Sequence, residues 1–99
     1  ETTQVFVVYT SEELVNYAFK IANNIRNMGI NTEIILDFKK LKKQLSYASE
    51  LNVQYVLVIG EDEVRENVYT LKNMYSGNQE KVTLDKIADI ILKEKKNDL

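Results

Sequence analysis

The sequence contains no cysteine and no histidine. The first absence excludes disulfides, thiolate nucleophiles and zinc sites built on sulfur. The second excludes every histidine-based triad and removes the one side chain that titrates near neutral pH unaided. Lack of cysteine fits a reducing compartment. Proline is also missing. No apolar run approaches the length of a membrane span, residues 56–59 being typical, and no basic n-region precedes a signal-like segment. Neither sign of charge dominates: 13 Lys and Arg face 15 Asp and Glu, for a net charge of −2. Such a balance does not announce a nucleic-acid binder, so any basic surface has to be local.

What is present is enough for a core. Hydrophobic residues make up 44% of 99 residues, which bounds the chain to one packed domain, residues 1–99. It starts Glu1-Thr2-Thr3 and runs straight into a strand, as a segment cut from the C-terminus of a longer chain would.

Residues 4–9 (QVFVVY) are β-branched and aromatic without polar alternation, the mark of a strand buried on both faces. Thr10 with Glu13 three positions later reads as a capping box. Leu14, Ala18, Ile21, Ala22, Ile25 and Met28 then recur at helical spacing up to Gly29. Residues 30–36 read as a second strand. Asp37 is placed to cap a second helix whose stripe is Leu41, Leu45, Ala48 and Leu51. Residues 54–59 form a third strand, and 60–63 a polar turn. Residues 68–75 and 79–82, separated by Ser76-Gly77-Asn78, read as a hairpin. Thr83 caps a last helix with stripe Leu84, Ile87, Ala88 and Ile91, and residues 93–98 form a fraying charged tail.

Strands alternating with helices predict an α/β fold in three layers. Its five-stranded mixed sheet has the order 2-1-3-4-5, strand 4 antiparallel, with three helices. The topological switch lies between strands 1 and 3, whose carboxyl ends are Thr10-Ser11 and Gly60-Glu61. A dinucleotide or P-loop site would need glycines after strand 1, but Thr10-Ser11-Glu12-Glu13 has none and its acids repel a pyrophosphate.

Three features can carry chemistry. Glu61-Asp62-Glu63 is either a Mg²⁺ or acid/base cluster or a solvated turn capped by its own carboxylates; lack of a second cluster favours the turn. Lys39, Lys40, Lys42 and Lys43 concentrate basic charge, giving residues 39–60 a local balance of +3. With Leu41 and Leu45 buried these lysines point outward, either to track a phosphate backbone or simply as a soluble helix face. Lys72 lies mid-strand on one face with Val68, Thr70 and Met74, opposite Tyr69, Leu71, Asn73 and Tyr75. A cation among aromatics suits unstacked bases, and it equally suits ordinary hairpin surface.

The stretch Lys40-Leu41-Lys42-Lys43-Gln44-Leu45-Ser46-Tyr47-Ala48, with Tyr55-Val56-Leu57-Val58-Ile59-Gly60-Glu61-Asp62-Glu63 and Tyr69-Thr70-Leu71-Lys72-Asn73-Met74, resembles the C-terminal anticodon-binding domain of class II aminoacyl-tRNA synthetases, closest to the histidyl branch. The turn Ile25-Arg26-Asn27-Met28-Gly29-Ile30 is similar to the family's as well. The resemblance implies that this domain holds the anticodon stem-loop of a tRNA. Catalysis, ATP and Mg²⁺ would belong to a separate catalytic domain of the same chain, and this domain would hold no cofactor and no catalytic residue. It further implies a cytoplasmic homodimer at full length and neither a membrane nor a DNA partner. By the same resemblance Glu63 and Lys72 contact anticodon bases, while Lys39, Lys40, Lys42 and Lys43 position the phosphate backbone. Related domains also occur in proteins that no longer charge tRNA: regulatory subunits of histidine biosynthesis, a stress-sensing kinase and a polymerase accessory subunit. Relatives often have a glycine before strand 4, where this chain has Val64-Arg65-Glu66-Asn67; Asn67 tolerates positive φ.

Overall fold

A computed structural model describes residues 2–97, with side chains through residue 93. Its elements follow in the order β1 (Val5–Tyr9), α1 (Val15–Asn27), β2 (Thr32–Ile34), α2 (Leu41–Glu50), β3 (Tyr55–Ile59), α3 (Glu61–Glu66), β4 (Tyr69–Asn73), β5 (Gln79–Val82) and α4 (Leu84–Asn97). One sheet carries all five strands in the order β2-β1-β3-β4-β5. β1 pairs parallel with β2 and β3, and β4 runs antiparallel to both of its neighbours. This is the expected topology.

Strand alternation divides the core in two. Val5, Val7, Tyr9, Tyr55, Leu57, Ile59, Tyr69, Leu71 and Val82 face α1 and α4, meeting Ala18, Ile21, Ala22, Ile25, Ile87 and Ile91. On the other face Phe6, Val8 and Val56 meet α2 through Ala48, Leu41 and Leu45. β1 is buried at every position because helices cover it from both sides.

The local differences from the sequence reading have physical causes. Thr10 and Glu13 form no capping box: the Thr10 N–H still bonds the Ile59 carbonyl at 3.1 Å, so the chain stays extended. A short 3₁₀ turn (Glu12–Leu14) then leads into α1, and neither helical start has a side-chain cap. Asp37 does not cap α2 either; it pairs with Lys39 at 3.3 Å, and Lys40 takes the cap position. Leu51 lies past the end of α2 and is 49% exposed, because Asn52 turns left-handed and delivers Val53 to the core instead. The polar turn at 60–63 is the start of a fourth helix, α3. Its only apolar residue is Val64, so periodicity could not reveal it; acids in its first turn, Arg65 in its last and Asn67 at φ 57° bound it instead. The last helix opens as expected, Thr83 Oγ1 accepting from the Lys86 N–H. α4 then continues as helix to Asn97, where a frayed tail was expected; Asp98 lies outside the described residues.

A buried amide fixes α2 on the sheet. β2 pairs only as far as Val7 and leaves the outer edge of Tyr9 without a strand partner. Gln44, fully buried, takes the missing strand's place. Its Oε1 accepts from the Tyr9 N–H at 3.1 Å, and its Nε2 donates to the Tyr9 carbonyl at 2.8 Å and to the Lys39 carbonyl at 2.6 Å. The Tyr9 hydroxyl in turn donates to the Ile35 carbonyl at 2.5 Å.

Replacing Gln44 with Leu keeps the volume but strands the Tyr9 N–H and two carbonyls. At about 1–3 kcal/mol for each buried group left unpaired, this variant should lose about 3 kcal/mol or more in urea unfolding. A loss below about 1 kcal/mol would contradict the clamp.

Candidate nucleic-acid interface

Cross-strand register lays out the α2 face as two rows. One runs Phe6, Val56, Lys72, Gln79; the other runs Val8, Val58, Thr70, Lys81. Each begins apolar beneath α2 and ends polar on the hairpin. Thr70 and Lys72 are part-exposed, and Gln79 and Lys81 are exposed. The result is a sheet face half roofed by a helix and half open, with β4 and β5 as its floor.

Two helix starts border the open half at the carboxyl ends of the parallel strands. The Gln44 clamp brings the start of α2, and with it the lysines, to the end of β1. α3 begins directly after β3 and carries Glu63 there. The Glu63 carboxylate is not a free acceptor. Its Oε1 takes the Gly60 N–H at 3.0 Å, and its Oε2 takes the Thr70 hydroxyl at 3.1 Å and the Lys81 ammonium at 3.4 Å. Only 14% of this side chain is exposed. Burial alone would raise its pKa; backbone N–H donation at the helix start, the Thr70 hydroxyl and the Lys81 ammonium outweigh burial and hold it below the ordinary carboxylate value. Gly60 sits where it does for space: a Cβ there would lie 2.7 Å from Glu63 Oε1. Glu61 and Asp62 point to solvent, Asp62 pairing with Arg65 on the same helix. Among the described residues no group of three or more metal-ligating side chains is arranged to hold an ion.

The four lysines do not share one surface. Lys39 pairs with Asp37 and lines a cleft of about 400 Å³ toward β2, together with Phe6, Ile35 and Tyr47. Lys43 holds its Nζ 5.6 Å from the centre of the Tyr47 ring and so leans the same way. At 100° per residue, Lys42 falls on the opposite flank of α2, toward β3 and the open floor. Lys40 is exposed at the cap. Lys72 lies mid-row on the floor. The fold therefore puts Lys42 on the flank of α2 that faces the open floor, Lys72 on that floor and Glu63 at its edge, leaves Lys40 exposed at the cap and turns Lys39 and Lys43 to the far side of α2.

Sequence reasoning missed Thr70 and Lys81 as members of this site. The available signal was the Ser76-Gly77-Asn78 turn: with Asn73 bonded to Asn78, the ladder is set and Thr70 falls opposite Lys81. It also missed Gln44, a polar residue set within the apolar stripe of α2.

Residues 4–94 match the family model described as "Anticodon binding domain". The chain is 41% identical over 87 residues to the histidine–tRNA ligase of Cytophaga hutchinsonii, covering 88% of this chain and 19% of that protein. The crystal structure of histidyl-tRNA synthetase from Nostoc superposes with a TM-score of 0.83 at 29% identity, over 95% of this chain and 22% of that one. The RNA binding domain of threonyl-tRNA synthetase from Cryptosporidium parvum also gives 0.83, at 27% identity, over 91% of this chain and 23% of that one. The chain thus spans about a fifth of the length of the ligase it matches.

A carboxyl whose folded-state pKa lies below its unfolded value stabilises the fold above the unfolded value, and this contribution fades as pH falls through the folded one. Stability should therefore drop as the pH is lowered past the ordinary glutamate value of 4.5. In Glu63→Gln that part of the acid limb should be missing, and Gly60→Ala, which displaces the carboxylate, should flatten it as well. Thermal melts across pH check this; an acid limb unchanged in Glu63→Gln would refute the network.

Proposed function

The chain belongs to the anticodon binding domain family, and on that footing we propose that it holds the anticodon stem-loop of histidine tRNA for a histidine–tRNA ligase. One observation supports this most: a half-roofed sheet face with cations on its floor and beside it and a buried carboxylate held at one end. Single-stranded loops are bound in this way, phosphates on cations and splayed bases on polar side chains and strand surface.

Roles follow from position. Lys40 and Lys42 take phosphates beside the floor, and Lys39 and Lys43 add long-range attraction from the far flank of α2. Lys72, on the floor, meets a base acceptor or phosphate, and Glu63 accepts from base amino or imino groups. Charging of the tRNA with histidine, ATP and Mg²⁺ would belong to sequence outside this chain. The carboxyl ends of β1 and β3 carry Glu12, Glu13, Glu61 and Asp62 with no glycine-rich loop, so these residues do not fit a nucleotide triphosphate. The whole protein would work in the cytoplasm as a homodimer, this domain packing on its own catalytic domain. Among the described residues no helix is long and apolar enough to cross a membrane.

Binding of this chain to a labelled histidine anticodon stem-loop, beside one with a scrambled anticodon, tests the reading. The histidine loop should bind more tightly at moderate salt; equal affinity for both would oppose anticodon recognition. Lys42→Ala should weaken both loops alike and flatten the salt dependence, with a smaller effect from Lys43→Ala. A larger effect at Lys43 would move the RNA to the β2 side. Lys72→Ala should cost about 1–3 kcal/mol for the matched loop alone; an equal loss for the scrambled loop would make Lys72 a phosphate contact.

A further inference from the structure

We infer that Lys81 is a further RNA-contacting residue, one that exchanges partners on binding: it leaves Glu63 for an RNA phosphate as a base donor takes its place on the Glu63 carboxylate. The inference rests on the anticodon reading above and adds to it a residue and an order of contacts.

Four observations carry it. Lys81 lies on the open sheet face directly opposite Thr70, and both side chains reach the same Glu63 oxygen. Its ammonium is 3.4 Å from Glu63 Oε2, the longest of the three contacts that hold this carboxylate. Its side chain is 54% exposed whereas that of Glu63 is 14% exposed, so the cation can swing away and the carboxylate cannot. Once Lys81 has left, the Gly60 N–H and the Thr70 hydroxyl still hold Glu63 in the same position.

The chemistry favours an exchange over two separate contacts. A half-exposed ammonium–carboxylate pair is weak against water. An incoming strand offers what each partner wants, phosphate oxygens for the ammonium and amino or imino N–H groups for the carboxylate. Without RNA, Lys81 neutralises a charge that would otherwise repel the backbone. With RNA bound, the same cation neutralises the backbone itself. In the bound state the carboxylate keeps its charge and is satisfied by neutral N–H donors of a base instead of by a cation.

Salt dependence separates this from a purely structural role. The histidine anticodon stem-loop is titrated with the unaltered chain, Lys81→Met, Lys81→Arg and, as a control, Lys20→Met, an exposed lysine on α1 at the opposite face. In Lys81→Met the slope of log affinity against log salt should fall by about 0.7, the value for one released single-strand counterion, and affinity at low salt should fall several-fold. Lys81→Arg should restore the slope, and Lys20→Met should leave it unchanged. An unchanged slope in Lys81→Met overturns the inference, and a lower melting temperature alongside it would assign Lys81 to bracing Glu63 alone. If the unaltered chain fails to prefer the histidine loop, the anticodon reading itself falls; if it shows that preference and Lys81→Met keeps the slope, only the exchange falls.

Discussion

A single buried amide decides where the charged surface of this domain lies. β1 outlasts its neighbour β2 and leaves an N–H and a carbonyl of Tyr9 facing outward inside the protein. Unpaired, each of these groups would cost about 1–3 kcal/mol. Gln44 answers both, and its third bond, to the Lys39 carbonyl, ties down the chain that enters α2. The entry to α2 needs this tie because no side chain caps it. Lys39, Lys40, Lys42 and Lys43 are thus delivered to the carboxyl ends of the parallel strands by a polar residue at the centre of the apolar stripe. Were the stripe wholly apolar, α2 could pack as well, but nothing would set its position along β1.

The open half of the sheet follows from the same economy. One short helix covers β1 and β3 on that face, and the hairpin of β4 and β5 extends beyond its reach. An apolar open face would invite aggregation; this one carries Thr70, Lys72, Gln79 and Lys81, so it stays wettable. Glu63 closes the end of this floor and is braced from three elements: the Gly60 N–H where β3 ends, Thr70 on β4 and Lys81 on β5. Cations on the floor and around it, with an acceptor held at one end, form a surface for a bent single strand and one poorly suited to a compact metabolite.

Much of this was legible in the sequence, and the exceptions share a cause. The runs 4–9 and 54–59 announced buried parallel strands, and the tight turn Ser76-Gly77-Asn78 announced the hairpin, because apolar pattern and turn chemistry are local. Sheet order followed from the alternation of elements. α3 escaped because six residues with one apolar side chain have no period to read. The capping reading of Thr10 and Asp37 failed because caps compete with tertiary bonds: Thr10 remains bonded to Ile59, and Asp37 lies three residues short of the position that Gln44 imposes. At the site, Glu63, Lys72 and the lysines were visible as residue types. Their division was not, since which flank of α2 a lysine takes and what Glu63 already holds depend on register across strands far apart in sequence.

Amide NMR of the ¹⁵N-labelled chain, titrated with the histidine anticodon stem-loop, tests the central claim most directly. Shifts should concentrate at residues 39–44, at the start of α3 and along β4 and β5, and leave the exposed surfaces of α1 and α4 unmoved. Shifts centred on α1 or α4, or on the cleft between β2 and α2, would place the RNA on another surface and contradict this account.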